Sequence, residues 1–446
     1  MKARVTFKGG IHPPENKGLC GELSIKDFPP PETAVLPLQQ SLGSASEPVV
    51  KKGDKVKKGT LIARSKGYIS SNLHSSVSGE VIDIRKSPHP LLGEANAIII
   101  KSDNRDEPER DYSAEEASAD SLSSGEILEL IQNAGIVGLG GATFPAHVKL
   151  NPPADKPIKT FIINGAECEP YLTSDHSLML ECADRILKGA ALIKKMLKAE
   201  KCLIAIEENK KDAIALFRQK IIQLKNAEGL QVFPLKVKYP QGAEKQLIYT
   251  LTGKEVPSGG LPMDVSVLVH NIGTVFAVYE AVFLRKPLFE RIVTVSGKGI
   301  KNPANWRVRI GTTFKMLVNH SGLADKKIKK LIMGGPMMGL AQYTDEVPVV
   351  KATSGILVLT SDEAADFEHL ACIRCGKCVS VCPMGLMPAE ISKMVEKGRI
   401  DTAKSIGLMD CMECGSCNYI CPSGTNLLQY IKLGKYEYLR SKNVKR

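Results

Sequence analysis

The hydrophobic pattern changes character several times along the chain. Residues 1–102 read as short strands separated by glycine turns. Val50-Lys-Lys-Gly53 runs through Gly59-Thr-Leu61-Ile62, and Ser75-Ser-Val77-Ser-Gly79-Glu-Val81-Ile-Asp-Ile84 follows as a second arm. From 103 to 124 the pattern lapses into a polar, acidic stretch and a Ser/Ala/Glu run, the composition of a linker. A helix is predicted near Gly125, with Ile127, Leu128 and Ile131 on its apolar face. Within 125–290, apolar runs such as Phe161-Ile-Ile163 alternate with amphipathic stretches at 184–197 and 211–225. Strand–loop–helix alternation predicts a parallel sheet with helices on its faces. Residues 291–350 form a smaller α/β unit, in which Val293-Thr-Val-Ser reads as strand and Ile310-Gly-Thr-Thr-Phe314 opens a helix. In 362–430, helices are predicted at 388–397, with Pro388 near its first turn, and at 400–409. Residues 431–446 read as a basic tail.

The 446 residues suffice for roughly three or four domains. Hydrophobic content is 43% and charged content 24%, as in ordinary globular proteins. The net charge of +12 points to an anionic partner. Aromatics are only 5% and no basic aromatic motif accompanies the charge, so an acidic protein partner is expected rather than nucleic acid. The most apolar stretch, 265–284, is broken by His270, Asn271 and Glu280. It falls short of the about 18 uninterrupted apolar residues of a spanning helix.

Cysteines carry the strongest signal. Cys372-x2-Cys375-x2-Cys378-x3-Cys382-Pro383 is repeated as Cys411-x2-Cys414-x2-Cys417-x3-Cys421-Pro422. This is the spacing of bacterial [4Fe–4S] ferredoxins, in which the fourth cysteine of each run ligates the other cluster. One cluster is thus expected on Cys372, Cys375, Cys378 and Cys421, the second on Cys411, Cys414, Cys417 and Cys382. Gly376 and Gly415 ease the turns between ligands. Zinc would need only four thiolates. Disulfides would need an oxidising compartment, and no signal peptide is visible. Two adjacent clusters suit a one-electron relay.

Four polar loops follow strand-like runs: Gly138-Leu-Gly140-Gly141-Ala142-Thr-Phe144-Pro, Asn164-Gly-Ala-Glu167-Cys-Glu169-Pro, Tyr239-Pro-Gln-Gly242-Ala-Glu244 and Asn271-Ile-Gly-Thr274. In parallel sheets a ligand sits at the carboxyl ends of the strands, where these loops fall. Glycines let backbone N–H groups approach a phosphate, and Lys149 follows the first loop.

The loops resemble those of the NADH- and FMN-binding subunit of respiratory complex I. Gly138–Pro145 is similar to its Gly-Arg-Gly-Gly-Ala-Gly-Phe-Pro, and residues 164–170 to its Asn-Ala-Asp-Glu-Ser-Glu-Pro. Leu139, Ala166 and Ala243 depart from that pattern, replacing an arginine, an aspartate and a glutamate. The order of parts along nearly the whole chain resembles the C subunits of Rnf ion-translocating oxidoreductases, including the opening Phe7-Lys-Gly-Gly-Ile-His12. The first domain is similar to a biotinyl/lipoyl-type barrel-sandwich hybrid. Its intervening segment 67–74 lacks the carrier lysine, which suggests docking rather than a swinging arm. Residues 291–350 resemble a soluble-ligand-binding β-grasp module, read as a spacer with turn glycines Gly334, Gly335 and Gly339.

The resemblance implies a multidomain α/β and β fold: barrel-sandwich, Rossmann-like flavin domain, β-grasp module and α-helical two-cluster ferredoxin domain. It implies FMN, two [4Fe–4S] clusters and NAD(H) as substrate. A flavin accepts hydride and releases single electrons, which joins nicotinamide to clusters. Gly138, Gly140, Gly141, Ala142 and Lys149 are implied on the flavin phosphate side. Asn164, Glu167, Asn271 and Thr274 are implied at its polar edges, with Phe144, Glu169 and Glu244 toward the dinucleotide. Glu244 has a competing role as cap of the helix beginning near Lys245. The implied partners are ferredoxin and the integral membrane and ferredoxin-like subunits of one complex. Attachment would be peripheral, on the cytoplasmic side of the cell membrane, with Na+ or H+ as coupling ion. Two alternatives stay open: a relay subunit with a vestigial flavin site, and a soluble bifurcating dehydrogenase or hydrogenase partner.

Overall fold

The computed structural model describes residues 6–20, 24–112, 116–119, 121–224, 227–364 and 368–444. The N-terminal unit consists of two small antiparallel sheets. One is ordered Thr33–Pro37, Gly93–Ser102, Gly79–His89 and Lys55–Val56; the other Glu47–Pro48, Leu61–Arg64 and Leu73–His74. Their inner faces share a core of Leu36, Ile62, Leu73, Val81, Ile98 and Ile100. The tip 67–72 docks instead of swinging. Lys351 reaches it from another domain and donates to the carbonyls of Asn72 and Gly135, 2.7 Å each. Burial lowers the pKa of that lysine to about 7.

The segment expected to be a linker is a strap across three units. Asp106 pairs with Lys58 (2.5 Å) and with Arg309 (3.0 Å). Tyr279 donates to Glu116 (2.5 Å), and the Ala117 N–H donates to the Phe283 carbonyl (2.8 Å). Its acidic residues look like solvated charge in sequence, but basic groups from distant segments meet them. The strap ends in a capping box, in which Ser123 and Glu126 satisfy each other's backbone N–H and start the helix Ser124–Asn133.

The central unit is a four-stranded, fully parallel sheet in the order Leu230–Leu235, Lys201–Glu207, Thr160–Gly165, Val267–Asn271. Phe161, Ile163, Ile204 and Ile206 face the helices Ala183–Leu197 and Ile272–Phe283. Ile162, Leu203, Ala205 and Val269 face the helix Glu244–Thr252. Burial on both faces is why the strands read as unbroken apolar runs. Gly189 lets two helices cross closely, since a Cβ there would stand 2.7 Å from the Val275 carbonyl oxygen. The long apolar stretch 265–284 is a strand turning directly into a helix. Among the described residues no helix is long and apolar enough to cross a membrane.

The next sheet has six strands, ordered Ile25–Asp27, Ala304–Arg309, Glu290–Ser296, Gly355–Thr360, Ile328–Met333 and Leu340–Ala341. The boundaries 291–350 were therefore too narrow. All six residues of Gly355–Thr360 are buried in the middle of the sheet, and the N-terminal segment supplies one edge. The module cannot close its core without residues beyond 350.

The C-terminal unit is helical, with helices Lys377–Ser380, Pro388–Glu396, Ile400–Ser405, Ser416–Ile420 and Leu427–Val444. The helix expected at 400–409 stops at Ser405, because Gly407 (φ +96°) breaks it before a single turn at Leu408–Asp410. The expected basic tail is instead the body of the last helix. Ile431 packs on Ile391 and Val395, and Gly434 sits where a Cβ would be 2.4 Å from Val395.

Candidate functional site

In the parallel sheet the chain begins at the inner strand Thr160–Gly165, steps outward twice, and returns to its other side as Val267–Asn271. The connection reverses between these two strands, and their carboxyl ends open the crevice in which such sheets bind ligands. Asn164 and Asn271 are partners in register there. Asn164 donates to the Gly242 carbonyl (2.7 Å) and accepts from the Ala166 N–H (3.2 Å). Asn271 caps the helix Ile272–Phe283 by accepting from the Gly273 N–H (2.8 Å), and donates to Asp175 (2.6 Å). Thr274, fully buried, accepts from the Leu139 N–H (2.9 Å) and so fastens the glycine loop to that helix start.

The glycine loop closes on itself through Gly138 N–H to the Phe144 carbonyl (2.9 Å). Gly140, Gly141 and Ala142 are all exposed, whereas Thr143 is buried and Phe144 is half-buried. A Cβ on Gly140 would press on the Asn271 Cβ at 3.0 Å, whereas one on Gly141 (φ +129°) would meet no heavy atom within 4 Å. The loop thus packs inward at one glycine and leaves the next open, as a phosphate approaching the backbone requires. A flavin phosphate fits this cradle, with the helix start beneath it. The barrel-sandwich unit braces the loop: the Leu42 N–H donates to the Thr143 carbonyl (3.2 Å).

Glu167 (φ +47°) accepts from the N–H groups of Asp175 (2.7 Å) and His176 (3.3 Å), at the start of the helix Ser174–Glu181. Burial, and then the Glu167 carboxylate, raise the Asp175 pKa to about 7. Arg291 enters from the six-stranded sheet and donates to the Leu139 and Thr353 carbonyls, 3.3 Å each. Asp175 and Arg291 are site residues that the sequence did not flag; neither lies in a motif.

Lys149 and Glu244, expected at opposite ends of the ligand, form an ion pair with each other at 2.5 Å. Ala243 is the N-cap of the helix and Glu244 its first residue, with no side-chain cap bond. The capping role weighed for Glu244 is therefore absent. Glu244→Ala is expected to raise the NADH KM roughly ten- to a hundredfold, the loss of one hydrogen bond to an ionised group. Melting temperature measured on the same preparation separates this from a purely structural pair: a lowered melting point with unchanged KM removes Glu244 from the dinucleotide site.

In the cluster unit, Cys382 of the first run lines one cavity together with Cys411, Cys414 and Cys417 of the second, closed by Leu386, Ile391, Leu428 and Ile431. These are the four cysteines expected to share one cluster by crossed ligation. N–H groups of Leu386 and Glu413 donate to the sulfurs of Cys382 and Cys411, 3.4 Å each, the bonds that favour a reduced cluster. An iron–sulfur cube fits this lining. The two runs repeat one backbone form: Arg374 (φ +55°) and Gly376 (+73°) in the first, Glu413 (+60°) and Gly415 (+77°) in the second. Cys372 and Cys375 of the other quartet are exposed.

The flavin unit's hydrogen bonds to this domain land beside the Cys382 quartet. Gln246 donates to the Pro383 carbonyl (3.1 Å), Ser258 to Asp410 (2.6 Å), and Tyr239 to the Cys414 carbonyl (2.7 Å). The opening glycines fill the seam. Gly10 N–H donates to the Val381 carbonyl (2.8 Å), and Ile11 and Tyr239 exchange backbone hydrogen bonds at 2.9 Å. Glu169 lies at this seam. Its two oxygens accept from the N–H groups of Met337 (3.1 Å) and Met338 (2.9 Å), and burial raises its pKa to about 7. Gly335 is bare because a Cβ would collide with that carboxylate at 2.2 Å.

Comparison with known proteins follows the same division. The chain matches the RnfC barrel-sandwich hybrid domain over 5–105, the Nuo51 FMN-binding domain over 131–280, the SLBB domain over 292–341 and a 4Fe-4S dicluster domain over 371–425. A solved NAD+-reducing [NiFe]-hydrogenase chain shares the fold, with TM-score 0.52 and 17% identity over 70% of this chain; the match spans 63% of that chain. The C subunit of the proton-translocating ferredoxin:NAD(+) oxidoreductase complex of Clostridium ljungdahlii is 47% identical over 98% of this chain and 94% of its own length. The C subunit of the Na(+)-translocating complex of Acetobacterium woodii is 42% identical over 97% of each. The C subunit of the ion-translocating oxidoreductase complex of Rhodobacter capsulatus is 42% identical over 91% of this chain and 78% of its own length. The chain belongs to the family of C subunits of ion-translocating ferredoxin:NAD(+) oxidoreductase complexes.

Proposed function

We propose that this chain is the peripheral subunit through which an ion-translocating complex exchanges electrons between NAD(H) and ferredoxin, by way of FMN and two [4Fe–4S] clusters. The observation that carries the proposal is one loop: Gly242 accepts from Asn164 in the switch-point crevice, and Tyr239, three residues earlier, touches Cys414. A single short segment spans the two centres that a hydride-to-electron converter must join. FMN would take the backbone of Gly140–Ala142 for its phosphate, with Asn164, Asn271 and Thr274 ordering the loops around it. NAD(H) would enter beside Phe144 and the Lys149–Glu244 pair. Cys372 and Cys375 are exposed, which supports a second cluster near the surface, where single electrons would pass to a ferredoxin-like subunit on the cytoplasmic side. Relatives named for H+ and for Na+ match at similar identity, so the coupling ion is left to the membrane subunits.

The purified full chain should be yellow-brown, and anaerobic NADH should bleach the flavin band and then reduce the clusters. A protein that keeps its iron but takes up no flavin from excess FMN would favour the relay reading. In membranes, high salt or chaotrope should strip the chain in soluble form; retention after washing in a strain lacking the partner subunits would overturn peripheral attachment.

A further inference from the structure

Tyr239 is fully buried at the meeting point of the flavin unit, the β-grasp module and the cluster domain. Its hydroxyl lies 2.7 Å from the Cys414 carbonyl oxygen and 3.4 Å from a Glu169 carboxylate oxygen. The shorter contact takes the proton. Glu169 belongs to the loop Asn164–Pro170, and its oxygens are held by the Met337–Met338 turn. The carbonyl of Met337 in turn stands 3.0 Å from where a Gly415 Cβ would be, one residue after Cys414. Ile11 clamps the backbone of Tyr239 from the opposite side. Three domains therefore converge on one phenol, aimed at the backbone of a cluster ligand.

We propose that Tyr239, oriented by Glu169, is a positioning residue for electron transfer, and that the cluster of Cys382, Cys411, Cys414 and Cys417 is the first acceptor from the flavin. The inference rests on the function proposed above and adds the order of transfer. For each hydride delivered by NADH, two single electrons cross this seam in succession. No bond forms between the centres, and the protons taken up by the flavin return to water. The electrons then pass to the surface cluster of Cys372, Cys375, Cys378 and Cys421. The Tyr239 hydroxyl directs the positive end of its dipole at the ligand loop, which favours the reduced, more negative cluster.

The test is Tyr239→Phe in the full-length protein, which keeps the ring and deletes the hydroxyl. Flavin and iron content should match wild type. In a redox titration with a chemical reductant, followed by electron paramagnetic resonance, the midpoint of the inner cluster should fall. A tenfold change in the flavin-to-cluster equilibrium corresponds to about 59 mV for one electron. The surface cluster should keep its midpoint, with signals assigned through Cys382→Ser. On rapid mixing with NADH, flavin reduction should proceed at the wild-type rate and cluster reduction more slowly. Glu169→Gln leaves the phenol in place but removes a carboxylate charge beside the ligand loop, and should move the same midpoint the opposite way, upward. An inner-cluster midpoint at the wild-type value in both variants, or a shift confined to the surface cluster, overturns the proposal. Because the titration does not use NADH, it stands apart from the parent reading. A wild-type flavin that NADH fails to reduce would sink the function, and an unmoved midpoint would sink the bridge.

Discussion

Gly141→Val should empty the flavin site while leaving iron near the wild-type content of about eight atoms per chain. Two effects act at this position. The residue sits at φ +129°, a region that a β-branched residue reaches only with strain of order 1–3 kcal/mol. The valine side chain would also occupy the open face of the loop, where no protein atom lies within 4 Å of the Cβ and a phosphate would approach the backbone. Because that space is open and the residue exposed, the substitution has nothing to push against and the core beneath should hold. Gly140 is a poorer probe, since its Cβ would press on Asn271 and disturb the helix cap as well. Acid precipitation of wild-type protein should release FMN, as no flavinylation motif is evident in the sequence. A Gly141→Val protein that retains wild-type flavin would move the phosphate site elsewhere.

Cys382→Ser should destroy the cluster bound by the second cysteine run, although Cys382 lies in the first. The physical reason is the direction of the chain after Cys378. The short helix Lys377–Ser380 ends, Pro383 turns the backbone away, and the sulfur faces Cys411, Cys414 and Cys417 across a cavity walled by Leu386, Ile391, Leu428 and Ile431. Iron should drop from about eight to about four atoms per chain, or to a three-iron form of the inner cluster, while the Cys372 signals persist. The loss should extend to NADH-driven electron exit if the inner cluster is the flavin's first acceptor, as proposed above. Damage confined to the Cys372 cluster would refute the crossed ligation.

Much of this was legible because it is local. Cysteine spacing sets which sulfurs can wrap a cube within one turn of chain, so both cluster runs were readable without a fold. The apolar run at 161–163 marked a strand, since burial on both faces of a parallel sheet demands unbroken apolar sequence. The spacing of Ile127, Leu128 and Ile131 marked a helix near Gly125, and the helix begins at Ser124. Asn164 and Asn271 were singled out from their loops, and strand register then made them neighbours.

What the sequence left undecided concerns pairs far apart along it. Lys149 and Glu244 each looked like a ligand contact, and only the packing of two helices showed that they neutralise each other. Glu169 looked like a dinucleotide residue, but its oxygens are filled by backbone N–H groups from a distant turn, as the 168-residue separation to Met337 records. The acidic strap read as a linker and the last helix as a basic tail, because composition cannot reveal an opposite charge or an apolar groove contributed by a distant segment. Spacing and period follow from covalent geometry and backbone hydrogen bonding, which act over a few residues, and these the amino-acid sequence determined by itself. Which side chains end up sharing a buried charge, a cap or a seam depends on how several separate units dock, and that only the tertiary structure decided.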